Sequence, residues 1–173
     1  MTARLALLLT AAAFAVAASP ALSSERRHVA TACPAARVHT EPNARLGTLS
    51  PGRWVAPIPA RAGLIGYLFG GEVVGGRFAI YAGGRNPRTS SSEKVLWIVR
   101  RGARIGAELA VVGRRLGSTV VRYRRHFSQA SSDQTPGYLF PSILDLPQPG
   151  CWSLTLRSGR VAAKVVVLAQ ATG

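Results

Sequence analysis

The chain has 173 residues, with 22 Lys and Arg against 7 Asp and Glu, and a formal net charge of +15 at pH 7. Apolar residues make up 47% and charged residues 17%, a composition typical of a globular domain and too apolar for a disordered chain. The 18 Gly and 11 Pro indicate many turns but no collagen-like repeat. Two Cys exclude a disulfide-dense scaffold, and the length allows one domain of ordinary size.

The first residues have the layout of a secretory signal peptide. Arg4 precedes an uncharged run at residues 5–18, and small residues follow it, as in a segment that is removed on export. The run is too short to span a bilayer, which takes about 20 residues. We predict that residues 1–21 form a signal peptide cleaved after Ala18 or Ala21, with a buried helix as the alternative. The mature protein is then secreted, either extracellular or in the cell envelope, with no transmembrane helix.

Nearly all of the positive charge is arginine, since only Lys94 and Lys164 are lysines. Either the charge serves an anionic partner, such as an acidic cell-envelope polymer or anionic lipid, or it is a compositional bias on a solvated surface. The arginines occur in scattered pairs, without the long basic run of a nucleic-acid-binding tail. We therefore expect no nucleic-acid partner. The candidate residues for binding an anionic surface are Arg100, Arg101, Arg114, Arg115, Arg124 and Arg125.

Composition divides the mature chain in two. Residues 22–62 are polar and then Pro-rich, which predicts an extended arm, because proline lacks the backbone N–H of a strand and fixes φ. One short edge strand is expected near residues 53–55. Short apolar runs between Gly, Ser and Pro then predict an all-β sandwich domain over residues 63–173. The predicted strands are 64–69, 77–81, 95–100, 108–112, 119–124, 138–146, 151–157 and 161–169.

The run at residues 151–157 alternates most cleanly between apolar and polar side chains. Trp152 falls on the apolar face and Cys151 on the opposite one, because successive strand residues point to opposite faces of a sheet. Trp152 and Trp97 are predicted core aromatics. Trp54 lies in the Pro-rich arm instead, which makes it the candidate for an exposed, sugar-stacking side chain.

Cys33 and Cys151 are the only thiols. In an exported protein they predict an intramolecular disulfide that ties the arm to the outside of the sheet. Intermolecular pairing and free thiols are the alternatives. A metal site is not expected, because the two cysteines lie far apart in the sequence and lack the spacing of metal ligands.

Catalytic motifs do not stand out. The seven acidic residues are dispersed, His28 and His39 lie in the predicted arm, and His126 follows two arginines. Nucleophile, metalloprotease and phosphate-loop motifs are not found. We therefore expect no catalytic residue, no metal and no cofactor. A hydrolase whose carboxylates meet only in the folded chain is a further, less favoured alternative.

The C-terminal part carries a longer motif. Pro141-Ser142 is followed by Pro147 and by GCWSLT at residues 150–155. This resembles the ending PS-x(n)-P-x-x-GCW-x-(L/V)-T of a family of uncharacterised secreted bacterial proteins, in which a Cys-Pro such as Cys33-Pro34 also recurs. The resemblance implies an immunoglobulin-like antiparallel β-sandwich and no particular activity. We expect a non-catalytic structural or protein-binding module, with another envelope protein as a candidate partner and with electrostatic binding to an anionic cell-envelope polymer or lipid as the alternative.

Overall fold

The computed structural model describes residues 33–69, 71–130 and 137–172, so the predicted signal peptide lies outside the described residues. Within them the chain is all-β, as predicted, and helical structure is limited to three short 3₁₀ turns. The strands are β1 (Val38–His39), β2 (Trp54–Val55), β3 (Leu64–Leu68), β4 (Glu72–Val74), β5 (Arg77–Tyr81), β6 (Lys94–Arg100), β7 (Glu108–Arg115), β8 (Val121–Ser128), β9 (Gly137–Ile143), β10 (Gly150–Ser158) and β11 (Val161–Gln170).

The strands form two sheets. The five-stranded sheet has the order β1-β2-β3-β6-β9, and the six-stranded sheet has the order β4-β5-β11-β10-β7-β8. One pair departs from the wholly antiparallel arrangement expected, because β5 and β11 run parallel, with Ala79 opposite Leu168. These two strands lie far apart in the sequence, so no hairpin turn forces them to pair antiparallel.

The two sheets share one hydrophobic core. Trp97 and Phe140 of the five-stranded sheet lie in the same cluster as Trp152 and Val167 of the six-stranded sheet. All four side chains are fully buried, so both predicted core aromatics are confirmed. Trp152 Nε1 donates a hydrogen bond to the Gln148 carbonyl at 2.9 Å, which satisfies the polar atom of this buried ring.

The described part of the predicted arm, residues 33–62, contributes β1 and β2 to the five-stranded sheet. The strand expected near residues 53–55 is present as β2, but it pairs with β1 on one side and β3 on the other and is therefore not an edge strand. Other arm residues cover the free edge of β11. The Ala36 N–H donates to the Val166 carbonyl at 2.8 Å, and Ile58 exchanges two hydrogen bonds with Lys164. This pairing protects a strand edge that would otherwise be open.

Cys33 and Cys151 form an intramolecular disulfide with a Cα–Cα distance of 5.5 Å. The intermolecular and free-thiol alternatives are therefore wrong. Cys151 lies on the face opposite Trp152, as the alternation predicted. Cys33 packs there against Ala79 and Leu168, so the bond holds the N-terminal segment against the outer face of the six-stranded sheet, on its β5 side.

Candidate functional site

The outer face of the six-stranded sheet carries cations in rows across the strands. Arg124 of β8 lies opposite Val112 of β7. Val112 in turn lies opposite Thr155 of β10, which lies opposite Lys164 of β11. Because directly paired residues point to the same side of a sheet, Arg124 and Lys164 project from one face, with two small side chains between them.

The neighbouring rows add two more cations to this face. Arg157 lies opposite Ala110, and Arg114 lies opposite Ser153. All four cationic side chains are exposed. We call this set the basic face, which consists of Arg114, Arg124, Arg157 and Lys164. The residues paired with these cations are small, and the four charges add to one positive potential over this face.

An acidic residue, Glu108, also lies on this side of the six-stranded sheet. Glu108 has the same strand parity as Arg114, but its carboxylate lies 3.1 Å from the ring nitrogen Nδ1 of His126. In the described part of the chain, no ion pair involves any cation of the basic face. These charges are therefore available to an anionic partner.

The six arginines predicted to bind an anionic surface do not all lie on the basic face. Arg114 and Arg124 lie on the basic face. Their sequence neighbours do not, because adjacent strand residues point to opposite sides: Arg115 lines a cavity at the end of β7, and Arg125 pairs with Asp145. Arg100 and Arg101 lie where β6, a strand of the other sheet, ends and the chain turns toward β7. Their side chains are exposed as well.

Arg125 is part of a polar link between β8 and the segment that follows β9. Its Nη2 lies 2.6 Å from Asp145 Oδ2, and this hydrogen bond raises the pKa of the guanidinium. Its charged group also lies 5.5 Å from the centre of the Tyr123 ring. Burial, and secondarily Asp145, raise the pKa of Tyr123 well above its usual value. Arg125 is therefore engaged within the protein.

Arg157 and Lys164 are members of the basic face that the sequence analysis missed. Each is isolated in the sequence, so a search for arginine pairs does not find them. The sequence pattern that could have indicated them is the alternation of residues along β10 and β11. Arg157, for example, is the last of the alternate polar positions that begin at Cys151. The cross-strand register needed to place both beside Arg124 is visible only in the fold.

A cavity of about 400 Å³ lies beside the tip of the β7–β8 hairpin. The pairing of β7 with β8 shifts after Gly113, where Arg114 lies opposite Val121 and Arg122 becomes the extra residue of a β-bulge. Bulges redirect side chains relative to a regular strand. The cavity is lined by Arg115, Leu116, Gly117, Ser118, Arg122 and Gln148.

Trp54, the candidate sugar-stacking residue, is half-buried and already stacked. Its ring lies 4.3 Å from that of His39, centre to centre, at an interplanar angle of 17°. Its Nε1 donates to the Glu41 carbonyl at 3.0 Å. The Glu41 carboxylate also lies 2.7 Å from His39 Nδ1. Backbone hydrogen bonding, and then the hydrogen bond with His39, lower the pKa of Glu41. One face of the Trp54 ring is therefore covered within the protein.

The described residues include two His–acid pairs, and both are at the surface. His39–Glu41 and His126–Glu108 are partly or largely exposed, and neither pair lines the cavity beside the hairpin tip. Among the residues that the structure describes, no group of three or more His, Cys, Asp or Glu is arranged to hold a metal ion. The described ranges also contain no helix long and apolar enough to cross a membrane.

Three comparisons with known proteins found no match for this chain. No family model matches it, and neither a search of curated proteins nor one of solved structures found a match. The surface geometry described above is therefore the basis for assigning a function.

Proposed function

We propose that this is an exported, non-catalytic protein that binds an anionic polymer or surface of the cell envelope through its basic face. The observation that carries the proposal is the single face on which Arg114, Arg124, Arg157 and Lys164 project without an ion pair in the described residues. Cations held together on a low-dielectric surface repel each other, and an anionic partner relieves that repulsion.

Export is part of the proposal. Its support is the signal-peptide layout of residues 1–21 and the disulfide between Cys33 and Cys151, a bond that persists in oxidising compartments. Assignment to the immunoglobulin-like sandwiches is proposed as well. It is supported by two sheets packed on one core and by the resemblance of the GCW ending, in which Trp152 enters that core.

A second candidate function, a protein-binding module, has its own supporting observation. Phe69 is 54% exposed and Ile143 is 45% exposed, and together with Pro141 they border a cavity of about 270 Å³ on the five-stranded sheet. Exposed apolar groups gathered at one place favour a protein partner. This surface shares no residue with the basic face, so the two candidate functions are tested by separate variants.

The test of the basic face compares two variants that lose the same charge. The face variant is Arg124→Gln, Arg157→Gln and Lys164→Gln. The control variant carries Arg45→Gln, Arg100→Gln and Arg101→Gln, three exposed arginines in or next to elements of the five-stranded sheet. Binding of each purified, oxidised protein to washed cell walls is measured by co-sedimentation at low salt.

We expect the face variant to bind about 100-fold more weakly than the wild type, since each cation at an anionic surface contributes about 1 kcal/mol. The control variant is expected to bind nearly as the wild type does. Equal losses in both variants would mean that net charge, and not the basic face, drives binding. Thermal unfolding of both variants checks that neither substitution set disturbs the fold.

A further inference from the structure

The tip of the β7–β8 hairpin places exposed aliphatic side chains next to cations. Leu116 is 47% exposed and Val120 is 49% exposed. Leu116 borders a cavity that is also lined by Arg115 and Arg122. A surface that is both apolar and cationic at one projecting point matches a ligand that is both apolar and anionic.

The hairpin tip is held in place by backbone hydrogen bonds. The Ser118 N–H donates to the Arg115 carbonyl at 3.0 Å, which closes a turn in which Gly117 has φ of 81°, a value that favours glycine. The Leu116 N–H donates to the Cys151 carbonyl at 2.8 Å. The tip is therefore tied to the start of β10, at the residue that carries the disulfide.

The polar side chains that line the cavity are Arg115, Arg122, Ser118 and Gln148, and each of them can donate a hydrogen bond to an oxyanion. Arg115 packs over Gly150, where an added Cβ would lie 3.0 Å from Nη2, so the guanidinium rests on bare backbone. The Ser118 hydroxyl oxygen accepts from the Val120 N–H at 3.1 Å, which leaves its own hydrogen to donate. In the described part of the chain, neither Arg115 nor Arg122 forms an ion pair. Two guanidinium groups and a hydroxyl are well matched to phosphate oxygens.

We propose that this hairpin tip binds the phosphate headgroup of an anionic lipid between Arg115 and Arg122, while Leu116 and Val120 enter the interfacial layer of the membrane. A phosphate-rich wall polymer offers the same charge but no apolar phase, so it leaves both aliphatic side chains in water. Lipid accounts for both features. The inference rests on the proposed function for the presence of an anionic envelope surface, but it uses residues outside the basic face.

The test uses vesicles and variants of the oxidised domain. Co-sedimentation is measured with vesicles of phosphatidylglycerol and phosphatidylcholine in equal parts, and with phosphatidylcholine alone. The tip variant is Leu116→Ser with Val120→Ser. The matched control, Ile58→Ser with Val73→Ser, removes two exposed aliphatic side chains from other places. We expect the tip variant to lose at least about tenfold in affinity for the anionic vesicles, and the control to bind as the wild type does.

A second ligand distinguishes binding to a lipid from binding to phosphate alone. Inorganic polyphosphate, measured by calorimetry, is expected to bind the wild type and the tip variant equally. Arg115→Gln with Arg122→Gln is expected to weaken binding to both polyphosphate and anionic vesicles. If the tip variant binds the vesicles as tightly as the wild type, the lipid inference is wrong. The proposed function still stands in that case if the basic face variant, with its own substitutions, loses binding to cell walls.

A direct readout of insertion is tryptophan emission from Leu116→Trp. We expect its emission to shift to the blue on addition of anionic vesicles, relative to the same substitution at exposed Ile58. An unchanged emission spectrum with bound vesicles would show that the tip stays in water and would overturn the inference. Leu116, Val120 and Ile58 are all exposed, and thermal unfolding verifies that each variant is folded.

Discussion

Loss of the Cys33–Cys151 disulfide is predicted to lower the stability of the domain substantially. The cysteines are 118 residues apart in sequence, so the bond closes nearly the whole of the described chain into one loop. Loop-closure entropy then gives an upper value of about 5 kcal/mol for the destabilisation. At about 3 °C per kcal/mol for a domain of this size, the Tm is expected to fall by about 15 °C.

The assay is thermal unfolding of three samples: oxidised wild type, wild type in reductant, and Cys33→Ala with Cys151→Ala. The double variant avoids a free thiol and is expected to unfold at nearly the same temperature as reduced wild type, and to be insensitive to reductant. Thiol titration confirms that reduction is complete. An unchanged Tm after complete reduction would refute the reasoning. It would mean that the contacts of the N-terminal segment, such as the Ala36 hydrogen bond to β11, hold it without the covalent bond.

Three further predictions concern the core and the link between the sheets. Trp152→Ala is expected to destabilise the domain by about 3–5 kcal/mol in chemical denaturation, because it empties a fully buried site. Gly66→Ala is expected to cost about 1–3 kcal/mol in the same assay, since its Cβ would lie 2.5 Å from Trp97 Cζ3; wild-type stability would show that the ring moves freely. Burial and Asp145 raise the pKa of Tyr123, so the neutral form of this side chain stabilises the folded state. That stability is present below the unfolded pKa of about 10 and is lost as the pH rises toward the folded value. Phenolate absorbance is therefore expected to include a phase that appears only as the protein unfolds, and Tyr123→Phe is expected to reduce the amplitude of that phase by one tyrosine.

The longer strands follow from the sequence because their apolar runs exceed four residues and end at turn residues. The run at residues 77–81 became β5 with the bounds expected. β4 was missed, since it has three residues and lies between glycines. β8 extends beyond the predicted range to Ser128. The prediction ended too early because the outward-facing positions of β8 are cationic, whereas an edge strand needs apolar side chains on only one face. β1 has two residues and depends on a partner strand for its existence.

The candidate site was less accessible to sequence reasoning. Neighbouring arginines suggest a cluster, but a strand sends adjacent side chains to opposite faces, so Arg114 and Arg115 serve different surfaces. Lys164 joins the basic face only through the register of three strand pairs. The bulge that places Arg122 beside Arg115 interrupts an otherwise regular hairpin, and nothing in the local composition marks its position.

The most direct test of the central claim is binding of the oxidised mature domain to washed cell walls and to anionic vesicles, at low and at high salt. Salt screens the interactions of exposed charges beyond about one Debye length, which is about 30 Å at 0.01 M and 3 Å at 1 M. We predict binding at low salt that is lost at high salt. Absence of binding at low salt would contradict the account and would show that the arginine excess is compositional.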